Sequence, residues 1–255
     1  MKRLLLLALP LCALAACVTH TGGREVDVVE AAKANIELGM AYMQNGNLPL
    51  AKEKLERAAK QDPKNANVYW AMATLHERME QPKEAEQDYQ KALNLQPSNS
   101  NIVNTYAVFL CRNGQIDRAL PMFDKVIADR LYQTPYAAAA NAGMCLRDDK
   151  RNADALRYFE RALALGPVFV DAAIGLGDLQ LEQGNADAAR RTVDTFNGRK
   201  TPDLLVVGVR AAVMQKDCNG SAYYARQLRR DFPSAPQTTA LLPQLLGSCA
   251  TTQAR

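Results

Sequence analysis

Pro63 and Pro97 stand 34 residues apart, and each closes a segment with the same internal order of small and large apolar residues. A unit of that length cannot bury its apolar face alone, so the period restricts the chain to a stack of like helical units, each covering the next. The 48% hydrophobic composition is that of a folded chain, which confines disorder to the ends.

The register can be followed residue by residue. Counted from Ala32, Leu38, Gly39, Tyr42, Ala51, Leu55, Ala58 and Pro63 fall at places 7, 8, 11, 20, 24, 27 and 32. Met72, Ala73, Ala85, Tyr89, Ala92 and Pro97 repeat the order from Ala66, with His76 where a large apolar residue is usual. A third unit from Ser100 keeps Tyr106, Ala107, Leu110, Ala119 and Phe123, and needs about two extra residues before Pro135. Tyr136 opens a regular fourth unit with Gly143, Leu146, Ala155, Phe159, Ala162 and Pro167. Val170 opens a fifth with Leu176, Gly177, Ala189 and Val193, and a degenerate sixth follows from about Asp203. Small residues at places 8 and 20 let the two helices of a unit approach closely, while large ones fill the space between units. Asn45-Gly46, Asn113-Gly114 and Gln183-Gly184 mark the turns between paired helices. The pattern resembles the tetratricopeptide repeat. It implies an all-α, right-handed superhelical solenoid of about six helix-turn-helix units, near 32–65, 66–99, 100–135, 136–169, 170–202 and 203–235, with a tail at 236–255.

Ahead of the array, Met1, Lys2 and Arg3 precede an apolar run from Leu4 to Ala13, which ends in Leu14-Ala15-Ala16-Cys17. The run is too short for a permanent membrane span and has the form of a signal peptide. It resembles a bacterial lipoprotein signal, which implies cleavage before Cys17 and acylation of that cysteine, with residues 17–31 as a tether. Val18 after the cysteine resembles the pattern sent to the outer membrane. Three acyl chains hold a protein far more firmly than one. Loss of residues 1–16 removes Lys2 and Arg3 and no acid, so the formal charge falls from +4 to +2. That near-neutral balance gives no electrostatic argument for nucleic acid.

Cys12 leaves with the signal and Cys17 is taken by lipid, leaving Cys111, Cys145, Cys218 and Cys249 for two disulfides in an oxidising compartment. Cys111 is twelfth in its unit and Cys145 tenth in the next, so both lie late in neighbouring first helices and are expected to pair. Cys218 is then expected to pair with Cys249 and hold the tail as a cap.

The motifs offer no chemistry. His20 and His76 are isolated, and CxxC, HExxH, GxSxG and phosphate-binding glycine loops are all missing. No enzyme, metal site, cofactor or small-molecule substrate is expected; His76 reads as a packing residue. The candidate site is a surface. First helices of such units line a concave groove at about places 2, 5, 9 and 12. Those places hold Lys33, Ile36, Met40 and Met43 in the first unit, Asn67 and Trp70 in the second, and Asn101 and Asn104 in the third. Methionine adapts to irregular partners, tryptophan gives rigid contact area, and asparagine amides can clamp an extended backbone.

A lipobox, about six tetratricopeptide units and a cysteine pair one repeat apart, with segments such as Ala119-Leu120-Pro121-Met122-Phe123 and Asn141-Ala142-Gly143, resemble the PilF/PilW family of type IV pilus biogenesis lipoproteins. The resemblance implies a pilotin at the periplasmic face of the outer membrane, which binds the pilus secretin and promotes its localisation and multimer assembly. A lipid-anchored adaptor that gathers peptidoglycan hydrolases is the alternative. The weak sixth unit and the tail with Cys249 depart from the family.

Overall fold

The computed structural model describes residues 22–250, whose regular structure is entirely helical. Cys17 and the whole signal segment lie outside the described residues, as does His20. Twelve helices form six antiparallel pairs: α1 Gly22–Gln44 with α2 Leu48–Gln61, α3 Ala66–Arg78 with α4 Pro82–Leu95, α5 Ser100–Arg112 with α6 Ile116–Ala128, α7 Pro135–Asp148 with α8 Asn152–Leu165, α9 Val170–Glu182 with α10 Ala186–Thr195, and α11 Pro202–Met214 with α12 Cys218–Asp231. The pairs are the units expected from the 34-residue period, and the fold is a tetratricopeptide-repeat array.

In units 1 and 4 place 8 packs on place 24 of the same unit with residues complementary in size, whereas Gly177 at place 8 of unit 5 meets Val207 of the next unit. A Cβ added to Gly143 would lie 2.9 Å from the Phe159 ring, and one added to Gly39 would lie 2.7 Å from Leu55 Cγ. Ala73 with Tyr89 and Ala107 with Phe123 occupy the same two places, and all four are fully buried. Place 7 turns toward the preceding unit. Tyr106 there stacks on Tyr89 with ring centroids 5.2 Å apart. Leu38, with no unit before it among the described residues, is exposed. Polar links reinforce this stacking, since Arg118 of α6 donates to Glu86 of α4 at 2.8 Å and to the Tyr106 hydroxyl at 3.0 Å. The Arg118 hydrogen bond holds the Glu86 carboxyl below its ordinary range.

Helix ends follow local chemistry. Pro63 and Pro97 stop the second helices, and two residues later Asn65 and Asn99 cap the next first helices, accepting from the N–H groups of Asn67 and Asn101 at 3.1 Å. Place 15, in the turn within each pair, has positive φ throughout. Gly46, Gly114 and Gly184 fill it in units 1, 3 and 5, while Glu80, Lys150 and Lys216 adopt φ of 57–64° there in units 2, 4 and 6. That left-handed conformation costs a residue with a Cβ about 1–2 kcal/mol, which the array sustains.

Three boundaries differ from expectation. The tether expected over 17–31 is helical from Gly22, because α1 continues ten residues ahead of the repeat frame. The sixth unit begins at Pro202 rather than Asp203: Lys216 then falls at place 15 and Pro233 at place 32, as in the regular units. It reads as degenerate because its close contact has moved by one place. Gly208, at place 7, meets the Tyr224 ring at 2.8 Å, while Val209 and Ala225 hold places 8 and 24. The expected tail is ordered to Ala250 as a π-helical turn Gln237–Leu241 and two short helices, α13 Leu242–Leu245 and α14 Gly247–Ala250. Leu242 is fully buried in the same cluster as Leu228, so this segment covers the last unit.

Gly143→Ala tests the close contact directly. The new methyl has to displace a fully buried ring, and chemical denaturation should show a loss of about 1–3 kcal/mol. Gly143→Ala with Phe159→Leu should regain part of that loss.

Candidate binding groove

The first helices of units 1 and 2 enclose a cavity of about 580 Å³. Ile36, Met40, Met43 and Trp70 line it, with Val29 and Lys33 at one side and Asn67 and Thr74 at the other. Their burial divides them into two groups. Ile36 and Met43 belong to the core shared by units 1 and 2 and form the floor, whereas Met40 is 45% exposed and Trp70 is half-buried. Of the three apolar residues of α1 at groove places, only Met40 reaches solvent. Places 5 and 12 of α1 turn far enough inward to meet Ala71 and Leu75 of the next unit. Trp70 packs against buried residues of units 2 and 3, and its buried Nε1 finds no acceptor among the described residues. Arg78 donates to the Met43 carbonyl, closing the C-terminal end of α1 at the end of the groove.

The asparagines of unit 3 sit apart. The cavity reaches α5 only at Thr105, and neither Asn101 nor Asn104 lines it. Asn101 is exposed, and its carbonyl accepts from the Thr105 hydroxyl at 2.8 Å. Asn104 is half-buried, and its Oδ1 accepts from Asn141 at 3.4 Å, so its amide serves the contact between α5 and α7. Asn65 and Asn67 stand nearer the cavity than either.

Two disulfides brace the array. Cys111 is joined to Cys145 with Cα atoms 5.7 Å apart, tying α5 to α7, and Cys218 to Cys249 at 5.3 Å, tying α12 to the terminal segment. Both spacings are ordinary for a bridge. The first lies two units along from the cavity and holds neighbouring first helices together, as the groove wall requires. Closing loops of about thirty residues stabilises a fold by about 3 to 4 kcal/mol each in the chain-entropy account.

A family profile for the tetratricopeptide repeat matches residues 78–142 and 146–212, and a second such profile matches residues 30–98. The chain is 31% identical over 208 residues to the type IV pilus assembly protein PilF of Pseudomonas aeruginosa, an alignment that covers 81% of this chain and 82% of that one. The chain belongs to the PilF/PilW family. The solved structure of Pseudomonas aeruginosa PilF superposes with a TM-score of 0.66 at 29% identity, covering 86% of this chain and 99% of the other. The crystal structure of PilW, described as a widely conserved type IV pilus biogenesis factor, gives 0.66 at 27% identity and covers 83% and 98%.

His76 carries chemistry that the repeat pattern did not show. Its Nδ1 lies 2.8 Å from Asp88 Oδ2, and the two side chains are only 11% and 15% exposed. This pair joins α3 to α4 at places 11 and 23, which hold Leu110 with Met122 in unit 3, Leu146 with Tyr158 in unit 4 and the hydrogen-bonded Gln180 and Thr192 in unit 5. Beside it the hydroxyl of the fully buried Tyr89 donates to Glu77. Burial raises the Asp88 carboxyl above its ordinary range, against the opposing pull of His76. A carboxyl raised in the folded state supports the fold fully below its unfolded pKa and loses that contribution as pH rises through the folded value. Asp88→Asn should therefore flatten the acidic limb of the stability–pH curve. His76→Leu should cost about 3 kcal/mol by leaving a buried carboxyl unpaired, and His76→Leu with Asp88→Leu should recover most of it. Urea unfolding of His76→Leu, Asp88→Leu and the double variant measures the coupling.

Proposed function

We propose that this chain is a lipid-anchored pilotin that holds a segment of the type IV pilus secretin in the groove of units 1 and 2, and promotes the secretin's localisation to the outer membrane and its assembly into multimers. The observation that carries this reading is the cavity itself. An array of this size would ordinarily cover its apolar side chains, yet Met40 stands open and Trp70 is only half-covered above an apolar floor. A segment with two or three apolar side chains fits a groove of that volume. The exposed Asn67 amide offers a donor and an acceptor to its backbone. Membership of a family whose relatives are named for type IV pilus assembly directs the reading to pilus machinery.

The anchor is Cys17, acylated after cleavage of residues 1–16 and held at the periplasmic face of the outer membrane. It places the groove near the membrane, because α1 both lines the groove and leads back to the anchor. Among the described residues no helix is long and apolar enough to cross a membrane. The groove recognises protein and needs no cofactor or metal.

Met40 is the informative position for a charge, since Met43 is too deeply buried to accept one without harm to the fold. Met40→Asp and Trp70→Ala should each lower affinity for the purified secretin by about thirtyfold or more, the loss of a contact worth about 2 kcal/mol, with an unchanged circular dichroism spectrum. Unchanged affinity in both variants would remove the groove as the site. Cys17→Ser should leave the protein unlipidated and strip heat-resistant secretin multimers from the outer membrane; normal multimers there would show that the anchor is dispensable.

A further inference from the structure

The loops that join one unit to the next form a continuous edge. Lys125 near the end of α6 donates to the Pro97 carbonyl at 2.9 Å, and the Ser100 hydroxyl donates to Asp129. A Cβ on Gly166 would lie 2.7 Å from Tyr136, and one on Gly198 would lie 3.1 Å from the Val168 carbonyl. The loop of Arg199 and Lys200 in turn shares a cleft with Asp231 and Phe232 at the end of α12.

The composition of this edge is unlike a solvated rim. Leu131 at 86% and Val168 at 66% are the two most exposed large apolar side chains among the described residues, and both lie on it. Arg130, Arg199, Lys200, Arg229 and Arg230 lie on it as well, against Asp129 and Asp231. Arg230 pairs with Asp231 at 2.7 Å, while Asp129 is held by Ser100 and the Leu131 N–H. Apolar tips flanked by arginine and lysine are what an interfacial contact uses, with the apolar atoms entering the headgroup layer and the cations meeting phosphates. First helices start at this edge, so α1 runs out from it by the ten residues Gly22–Ala31, about 15 Å of helix. The chain leading to Cys17 thus leaves the array on the side that carries Leu131 and Val168.

We infer that this edge is a membrane-contact surface, which lays units 3 to 6 against a phospholipid bilayer bearing anionic headgroups. The inference rests on the reading that Cys17 is the anchor, because that anchor brings the edge to the bilayer. Contact at a second place fixes the direction in which the groove opens, which attachment at one point would leave free.

The test holds the protein at the membrane by other means, so it does not depend on acylation. The mature chain with Cys17→Ser and an N-terminal hexahistidine is bound to nickel-chelating vesicles of phosphatidylethanolamine and phosphatidylglycerol that contain lipids with brominated acyl chains. With Trp70→Phe removing the native indole, Leu131→Trp and Val168→Trp report from the edge and Gln183→Trp from the opposite one. Fluorescence at positions 131 and 168 should be quenched more strongly than at 183, and Arg130→Glu with Arg199→Glu should abolish the difference. Equal quenching at all three positions would overturn the inference, and quenching that survives charge reversal would remove the anionic headgroup as the partner. Acylation is read separately, from the mass of the Cys17 peptide of the native protein.

Discussion

One contact sets the geometry of the first four units, the seating of a small residue at place 8 against a large one at place 24 sixteen residues on. Where Gly143 meets Phe159 or Gly39 meets Leu55, no room is left for another carbon. This fixes how closely the two helices of a unit lie, and therefore how each unit presents its outer faces to the next. The first helices then stand side by side, and their exposed places align into a groove. Removal of a fully buried aromatic ring such as Phe159 would cost about 3–5 kcal/mol by the usual cavity argument, a large part of what holds a single unit to its neighbours. The consequence is architectural, because each unit depends on adjacent units alone and the two ends need separate protection.

The ends are protected differently. At the C-terminus the π-helical turn, α13 and the Cys218–Cys249 bridge cover the last unit, burying Leu242. At the N-terminus Leu38, Val28 and Val29 remain exposed, and α1 extends past the frame without a neighbour among the described residues. The uncovered end is also the end with the cavity. An array of this kind keeps its binding surface where stacking has not already consumed it, and a protein closed at one end and open at the other offers that surface at a defined place.

The unit boundaries were legible because prolines, turn glycines and small residues recur at fixed places, each for its own steric reason. The sixth unit was not, because Gly208 with Tyr224 preserves the size complementarity one place earlier, and a pattern of residue types cannot see a rotation of the helix that carries them. The helical start at Gly22 was missed for a related reason. Polar residues and a glycine pair suggest a tether, but α1 continues as a helix ahead of its own unit. At the site, spacing on a 3.6-residue helix identified Ile36, Met40, Met43 and Trp70, and all four line one cavity. Periodicity could not divide floor from rim, since that depends on how far Ala71 and Leu75 of the next unit reach. Nor could it place Asn104, whose amide is occupied by Asn141 in the following unit. The pairing of His76 with Asp88 was equally hidden, because the two are twelve residues apart on antiparallel helices and neither is remarkable alone.

The central claim is that the open groove of units 1 and 2 seats a secretin segment in the cell, and cross-linking from the groove in the native envelope tests it most directly. A photoreactive benzoylphenylalanine in place of Met40, on the rim, should yield a covalent adduct with the secretin, while the same residue in place of Gln87, on the exposed face of α4, should not. Adducts of equal yield from both positions, or none with the secretin from position 40 while the protein remains folded and in place, would contradict the account.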